Sequence, residues 1–188
     1  MRGLRTVLAA ASFSLSALAA GVWELDGDLQ DTSGAGHEAR AAKREFVALA
    51  KGQGLGPGIR VEVADAPDLR LQPGLEAECR FRLDERPAGP QILFTKDREY
   101  LLRVDWVKEG GQLSFFVHAG GEWEPRVRGP VVKTGVWYDT KVRWDGTQVT
   151  LQVGKDQIWT RKRVGIAVPT KEPLQVGPFA GVIDRIAI

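Results

Sequence analysis

The feature that most constrains this chain is a regular alternation of short strand-like runs and turns, which continues from residue 60 to residue 188. Within the runs every second side chain is largely apolar, and turn-forming Gly, Pro and Asp recur roughly every 8–12 residues. A chain of 188 residues suits one domain with one core. The pattern predicts an all-β fold, a two-sheet antiparallel β-sandwich. The predicted strands are Arg60–Val63, Glu76–Leu83, Gln91–Thr95, Tyr100–Val107, Gln112–His118, Trp137–Trp144, Thr147–Val153, Ile158–Arg163 and Val182–Ile188.

One hairpin can be paired residue by residue, because Asp145-Gly146 is the strongest type of short hairpin signal. A two-residue turn there pairs Trp144 with Thr147, and counting outward gives a largely apolar face opposite a polar one. Beyond the turn at 154–156, Ile158 is expected on the core face and Trp159 on the polar face. The further pairs on the apolar face are Val142 with Val149, Thr140 with Leu151, and Tyr138 with Val153.

A second hairpin, with its loop at Lys108–Gly111, divides in the same way into an apolar and a mixed face. A two-sheet sandwich buries the apolar faces against each other. The apolar face contains Tyr100, Leu102, Val104, Trp106, Leu113, Phe115 and Val117. The mixed face contains Arg103, Asp105, Ser114, Phe116 and His118.

Helical periodicity is scarce, and only one segment favours a helix. Between His37 and Lys51 the chain is rich in Ala, Glu, Lys and Arg, which have high helix propensity. The segment ends in Gly52-Gln53-Gly54, so the predicted helix is short.

Residues 1–20 differ from the rest and have the pattern of a secretory signal peptide. Arg2 and Arg5 give a basic start, a small apolar run follows, and Ala17-Leu18-Ala19 is an A-x-A-like cleavage site. The run is shorter than the roughly 20 residues of a membrane span. We therefore expect a secreted protein, extracellular or periplasmic, with no stable membrane insertion after cleavage. The alternative is an N-terminal anchor that stays attached.

Charge and cysteine content exclude two classes of function. Without Arg2 and Arg5, the 24 remaining Lys and Arg balance 24 Asp and Glu, so clustered positive charge for nucleic acid is lacking. Cys79 is the only cysteine, which rules out an intrachain disulfide and a cysteine-ligated metal site. We expect it to be a buried, inert residue on a strand.

The chain contains four segments with distinctive spacing, in this order: LDGDLQDTSGAGHEA, KGQGLGPGIRVEVADAPDLRLQPGLEAECRFRL, GVWYDTKVRWDGTQVTLQVGKDQI and PFAGVIDRIAI. They resemble the laminin-G-like, concanavalin-A-like jelly-roll domains of secreted bacterial proteins. The resemblance covers almost all of residues 22–188 and implies one such domain over 21–188. Two positions depart from the family pattern, since Gln152 replaces a frequent Tyr and the turn at Gly154 lacks the usual Asp. Ligand contacts at those two positions are not carried over.

The opening segment raises the question of a metal site. An EF-hand beginning at Asp26 would need Gly at its sixth position and Glu at its twelfth, where the chain has Asp31 and His37. The family resemblance instead implies a structural Ca²⁺ between the terminal strands. Its ligands would be Asp26 or Asp31, carbonyls near 34–37, and Asp184. The alternative is that these aspartates only form turns.

The mixed sheet faces favour carbohydrate as the ligand, because sugars stack on aromatic rings and hydrogen-bond to planar polar side chains. Trp137 lies on one of these faces but is interpreted as a packing residue. Laminin-G-like domains also bind proteins, so an extracellular protein is the alternative partner. The candidate carbohydrate-binding residues are Trp159, Gln152, Asp139, Arg103, Asp105, His118 and Trp123.

An enzyme is not expected. Glycoside hydrolases with this fold carry Glu-x-Asp-x-Glu or Glu-x-Asp-x-x-Glu along one strand, which places two carboxylates on one sheet face. The nearest match, Glu76-Ala77-Glu78, is followed by Arg80 rather than by a third acid. The sequence therefore predicts a secreted, non-catalytic, lectin-like binding module.

Overall fold

The computed structural model describes residues 19–72, 74–86 and 88–188 and confirms the predicted two-sheet antiparallel sandwich. Sheet I has eight strands: β1 (Val22–Trp23), β3 (Phe46–Ala48), β4 (Gln53–Leu55), β6 (Leu75–Leu83), β11 (Trp137–Trp144), β12 (Gln148–Val153), β13 (Gln157–Lys162) and β15 (Gly181–Ala187). Sheet II has seven: β2 (Ala39–Arg40), β5 (Val61–Val63), β7 (Gln91–Lys96), β8 (Tyr100–Val104), β9 (Gln112–Val117), β10 (Val127–Val131) and β14 (Leu174–Val176).

The strand order interleaves distant parts of the chain. Sheet I runs β13-β12-β11-β6-β15-β4-β3, with β1 also paired to β15, and sheet II runs β10-β9-β8-β7-β14-β5-β2. Most of the predicted signal peptide, residues 1–18, lies outside the described residues. In the part of the chain that the structure describes, no helix has the length and apolar character needed to cross a membrane.

The predicted helix over His37–Lys51 is wrong. The segment instead contains β2 and β3, and Phe46 pairs with Leu55 on β4. The backbone N–H of Leu49 donates to the carbonyl of Gly52 at 3.0 Å, which closes the turn between β3 and β4. Pairing with neighbouring strands therefore outweighs the local helix propensity. The short strands β1, β4, β10 and β14 were also missed by the sequence pattern.

The hairpin of β11 and β12 has the predicted faces but a different register. Trp144 pairs with Val149 rather than Thr147, and Val142 pairs with Leu151. The carboxylate of Asp145 accepts hydrogen bonds from the backbone N–H of Thr147 and of the next residue, each at 2.9 Å, and this moves the turn one residue along the chain. A shift of two in pairing keeps every side chain on its predicted face.

The hairpin of β12 and β13 contradicts the prediction that Ile158 faces the core and Trp159 the polar side. A three-residue loop joins β12 to β13, so Leu151 pairs with Trp159 and Gln152 pairs with Ile158. Trp159 therefore lies on the inner face and packs against the core, while Ile158 lies outside and is 57% exposed. The prediction failed because the odd-numbered loop reverses which alternate residues of β13 face inward.

The hairpin of β8 and β9 is confirmed. Tyr100 pairs with Val117, Leu102 with Phe115, and Val104 with Leu113. All six side chains belong to the buried core between the two sheets. Trp106 lies outside β8, next to a short 3₁₀ turn at Val107–Glu109.

One end of the sandwich is closed by a buried polar group that we call the clasp: Asp65, Lys96, Glu99 and Thr170. The side chains of Lys96 and Glu99 are fully buried, with Lys96 Nζ 2.7 Å from Asp65 Oδ1 and 3.2 Å from Glu99 Oε1. Glu99 also accepts hydrogen bonds from the backbone N–H of Leu71 at 2.7 Å and of Thr170 at 2.8 Å. The clasp thus ties two long connections to the turn between β7 and β8.

The extended segment after β13 is anchored by its inward-facing residues. Arg163 is buried, and its guanidinium donates to the carbonyls of Val117 at 3.1 Å and Ala119 at 2.7 Å. Alternate residues are consequently forced outward. We call this exposed set the apolar row: Val164 is 57%, Ile166 77% and Val168 66% exposed.

Candidate functional site

Alternation along the two central strands of sheet I brings polar and aromatic side chains to its outer face. Trp137 pairs with Arg82, Asp139 with Arg80, and Lys141 with Glu78 across β11 and β6. The neighbours of these residues in each strand, such as Phe81, point into the core. The outer face is therefore a consequence of strand periodicity.

The charged side chains of this face form two neighbouring groups of ion pairs, one around Arg80 and one around Glu78. Arg80 lies between two carboxylates, 2.8 Å from Asp139 and 2.9 Å from Asp184. Arg185 likewise contacts Glu78 at 2.9 Å and Glu24 at 3.2 Å. Lys141 contacts Glu76 and is 3.7 Å from Glu78. We call these eight residues the ion-pair network: Glu24, Glu76, Glu78, Arg80, Asp139, Lys141, Asp184 and Arg185.

The pKa values of two members of the network are raised, for different reasons. The hydrogen-bonded carboxylate of Asp139 raises the pKa of Arg80, and Asp184 adds to the effect. Partial burial raises the pKa of Asp184 above its usual range, although the guanidinium of Arg80 opposes that shift. Asp184 thus lies deeper in the surface than Asp139, whose side chain is 65% exposed.

Two open grooves cross this face and meet at Asp139 and Gly154. The first has a volume of about 370 Å³ and extends from Trp137 along the turn between β12 and β13. The second, of about 280 Å³, is lined by Glu78, Arg80, Asp139, Lys141, Gln152, Gly154 and Arg185, among others. Together we call them the sheet I groove.

Two aromatic residues line the sheet I groove, and of these Tyr138 stacks on Phe81 against the core whereas Trp137 lies on the outer face. The guanidinium carbons of Arg80 and Arg82 lie 5.0 and 5.2 Å from its ring centroid. These arginines belong to β6, whereas the first of the two grooves lies toward β12, on the other side of β11. The half-buried indole is thus fixed from one side by cation–π contacts and borders the groove on the other.

Of the seven candidate carbohydrate-binding residues, Asp139 and Gln152 lie in the sheet I groove. The amide nitrogen of Gln152 donates to the carbonyls of Gly154 at 3.0 Å and Lys155 at 3.3 Å, which leaves its oxygen as the available acceptor. Trp159, which the sequence placed beside them, is on the inner face of the sheet and is not part of this groove.

Arg103 and Asp105 belong to a packed cluster on the outer face of sheet II. The side chain of Asp105 is fully buried and accepts from Arg103 Nε at 2.8 Å and Ser114 Oγ at 2.6 Å. Arg103 and Arg126 lie over the ring of Phe116, at 4.7 and 4.9 Å. Asp105 is therefore inaccessible to a ligand, and the cluster holds the loop at 119–126 against the sheet.

His118 and Trp123 lie at the edge of that cluster. Their ring centroids are 5.0 Å apart with the planes inclined at 61°, and Trp123 also contacts the edge of Phe116. Both are half-buried. They form a small separate aromatic surface on sheet II, on the other sheet from the sheet I groove.

The three candidate calcium ligands do not converge. Asp31 accepts hydrogen bonds from the backbone N–H groups of Val22, Ser33 and His37 at 2.8–3.0 Å. Asp26 accepts one from the backbone of Gln53 at 2.6 Å, and Asp184 pairs with Arg80. In the described ranges, no three His, Cys, Asp or Glu side chains are grouped so that they could hold a metal ion. Calcium binding by these carboxylates would therefore require them to exchange their present protein partners.

Sequence reasoning missed the importance of Trp137, Arg80, Glu78 and Arg185. The available signal is the alternation of charged residues along Glu76–Arg82, which places Glu78, Arg80 and Arg82 on one face of a strand. Arg185 could not be found in this way, because its contact with Glu78 joins residues 107 positions apart.

Comparisons with known proteins identify the fold. Domain 4 of AbnA, a GH43 extracellular arabinanase from Geobacillus stearothermophilus solved with arabinotriose, is similar with a TM-score of 0.63 and 14% identity over 90% of each chain. The binding domain of botulinum neurotoxin DC, solved with SialylT, has a TM-score of 0.65 at 12% identity, covering 89% of this chain and 44% of that one. Trypanosoma rangeli sialidase has a TM-score of 0.62 at 15% identity, covering 89% and 29%.

The chain thus spans most of the arabinanase domain but less than half of the toxin chain and less than a third of the sialidase. At such low identity the likeness shows the β-sandwich fold alone. Neither a scan against protein-family models nor a search of curated proteins finds a match.

Proposed function

We propose that this protein is a non-catalytic, lectin-like module of the laminin-G-like type that binds glycan in the sheet I groove. The observation that carries the proposal is the position of Trp137, whose indole borders an open groove beside Asp139 and Gln152. An aromatic ring next to planar polar groups is what stacking and hydroxyl recognition of a sugar require. Two structural neighbours, solved with arabinotriose and with SialylT, support glycan as the class of ligand.

The ion pairs support binding rather than hydrolysis. A glycosidase needs one carboxylic acid to donate a proton and a second carboxylate to act as base or nucleophile. In the sheet I groove Glu78 and Asp139 are each within 3 Å of a guanidinium, so each carboxylate is held in an ion pair that fixes its orientation. Release of reducing sugar from a bound polysaccharide would contradict this part of the proposal.

The test is a glycan and polysaccharide array probed with the purified protein and with Trp137→Ala. We expect binding by the unaltered protein and a loss of about tenfold or more in Trp137→Ala, since a stacked ring contributes on the order of 1–2 kcal/mol. Trp123→Ala is the matched control, because it removes the same side chain from the aromatic surface on sheet II. If Trp123→Ala loses binding and Trp137→Ala keeps it, the site is on sheet II instead.

A protein partner is the second candidate, and the apolar row favours it. Three exposed aliphatic side chains on one anchored segment form the kind of surface that marks protein interfaces. The corresponding variant is Val164→Ser/Ile166→Ser/Val168→Ser. It would lose binding to an extracellular protein or to cells, whereas binding in the sheet I groove would be unchanged.

We also propose that the protein acts outside the cytoplasm, because its first 20 residues have the pattern of a secretory signal. Mass spectrometry of the exported protein should find a new N-terminus close to Ala19 or Ala20. A protein retained in the cytoplasm with its N-terminus intact would contradict this.

A further inference from the structure

The ion-pair network has more negative than positive members. Three cations, Arg80, Lys141 and Arg185, face five carboxylates, so the network has an excess of two negative charges. Each cation contacts two carboxylates within 4 Å. Among the described cations that line the sheet I groove, Arg80, Lys141 and Arg185 all have acidic partners, and only Lys155, exposed in the turn between β12 and β13, forms no ion pair.

Arg82, which flanks the groove, is also paired with a carboxylate. Its guanidinium donates to both carboxylate oxygens of Asp84, at 2.6 and 3.1 Å. Such a bidentate pair leaves little capacity for a second carboxylate. The arginines over Trp137 are thus committed to acidic side chains and to the indole ring.

We propose that the sheet I groove selects neutral glycans and rejects those that carry carboxylate or sulfate groups, an inference that rests on the proposed function. At Arg80, Lys141 or Arg185 an acidic sugar would have to draw the cation away from its carboxylates, which would leave a carboxylate without compensation beside a ligand of the same charge. The hydroxyl groups of a neutral sugar can instead donate to free lone pairs of Glu78 and Asp139. They can also accept from Lys141 without breaking an ion pair.

The first experiment uses matched probes. Polygalacturonate and glucuronoxylan are each compared with their carboxyl-reduced forms, in which the linkages are the same and the acid has become a hydroxymethyl group. Binding is measured by affinity electrophoresis together with a panel of neutral polysaccharides. We expect every glycan that binds to be neutral, and any reduced form that binds to be bound at least about tenfold more tightly than its acidic parent.

The outcomes separate this inference from the proposed function. Equal or tighter binding of an acidic parent overturns the selectivity but leaves glycan binding in place. Failure to bind any neutral or acidic glycan, by a protein whose fold is confirmed, overturns the proposed function and this inference with it. Affinity for the neutral ligand should also be nearly unchanged up to about 0.5 M salt, since no ligand charge is screened.

A second experiment tests whether the local carboxylates cause the selectivity. Asp139→Asn/Asp184→Asn removes both acidic partners of Arg80 and should raise the affinity for acidic probes about tenfold at low salt. The control is Glu85→Gln/Glu172→Gln, which changes net charge equally at two exposed acids that form no ion pair with a described residue. An equal gain in affinity for acidic probes in the control variant contradicts the role of the network. So does the absence of any gain in Asp139→Asn/Asp184→Asn.

Discussion

At the scale of single residues, Asp31 illustrates how the backbone can use up a carboxylate that looks like a metal ligand. Its two oxygens accept three backbone N–H groups, from Val22, Ser33 and His37. Partial burial works to raise the pKa of Asp31, but these donors together outweigh it and lower the pKa to about 2. Asp31 therefore organises the opening loop against β1.

The first prediction concerns Asp31→Asn, which should lower the free energy of unfolding by about 1–2 kcal/mol at neutral pH, because the amide replaces an ionised acceptor. Because folding lowers the pKa of Asp31, its ionised carboxylate stabilises the folded state fully at pH values above the ordinary pKa of 3.8. This stabilisation is lost as pH falls through about 2. Urea unfolding across this range measures it.

Asp28→Asn is the control for that experiment, because the exposed Asp28 carboxylate accepts only the N–H of Gln30 in the described structure. A difference between Asp31→Asn and the unaltered protein that persists unchanged at pH 2 would contradict the assignment.

At the scale of the structural element, the hairpin of β11 and β12 shows what turn chemistry adds to hydrophobic alternation. The apolar pattern determines which residues face the core, and it is unchanged by a shift of two. The side chain of Asp145 then selects the register through hydrogen bonds to the backbone N–H and hydroxyl groups of Thr147. Face and register therefore have separate causes.

We predict that Asp145→Ala destabilises the protein by about 1–2 kcal/mol, because several short hydrogen bonds in the turn are lost. Asp156→Ala, in the adjacent exposed turn, should have an effect of less than about 0.5 kcal/mol. Guanidinium unfolding of both variants is the measurement. Equal effects would mean that the turn gains nothing specific from Asp145.

For the clasp we predict a larger loss of stability. Lys96→Met leaves the buried carboxylate of Glu99 without its cation, whereas Asp65 keeps its ion pair with Arg70, and removing one member of a buried pair costs about 3–5 kcal/mol. Lys171→Met, at an exposed site on the same connection, is the matched control and should be nearly neutral. If Lys96→Met unfolds completely, the weaker change Thr170→Val, which removes one hydroxyl donor to Glu99, should still lower stability measurably.

The local pattern of apolar and polar residues predicts strands well where they are long and where paired strands are neighbours in the sequence. β6, β8 and β11 follow from alternation because each buries one face. The strands near 39–55 could not be found, since they are only two or three residues long and depend on partners such as Ile183. For the same reason the site was only half predictable: Asp139 and Gln152 follow from strand parity, but Trp159 depended on an unpredictable loop length.

At the scale of the whole molecule, the two sheets hold their charged residues in different environments. Sheet II and its connections contain the fully buried charges, Lys96, Glu99 and Asp105, which fasten loops to the sandwich. Sheet I exposes its charges in the ion-pair network and the groove. The proposed ligand site is thus placed on the most regular strands of the fold, where side-chain positions are fixed by pairing on both sides.

A whole-molecule prediction follows for metals. Because the candidate ligands Asp26, Asp31 and Asp184 have separate protein partners, chelator should leave the melting temperature and glycan binding unchanged within about 1 °C. Differential scanning calorimetry with EDTA and with excess calcium tests this. A rise of several degrees with calcium would mean that a site forms from backbone carbonyls and these carboxylates after rearrangement.

The lone cysteine has a practical consequence. Cys79 lies in the middle of β6, is 2% exposed, and has a pKa raised by burial, so its thiol is inert while the sheets are closed. Its neighbours in pairing are Thr140 on β11 and Ile186 on β15, at the centre of sheet I. A thiol reagent can therefore reach it only when these strands separate. The rate at which Cys79 is labelled therefore measures how often the sandwich opens. A bound sugar that slows this labelling would report ligand affinity without a label on the sugar.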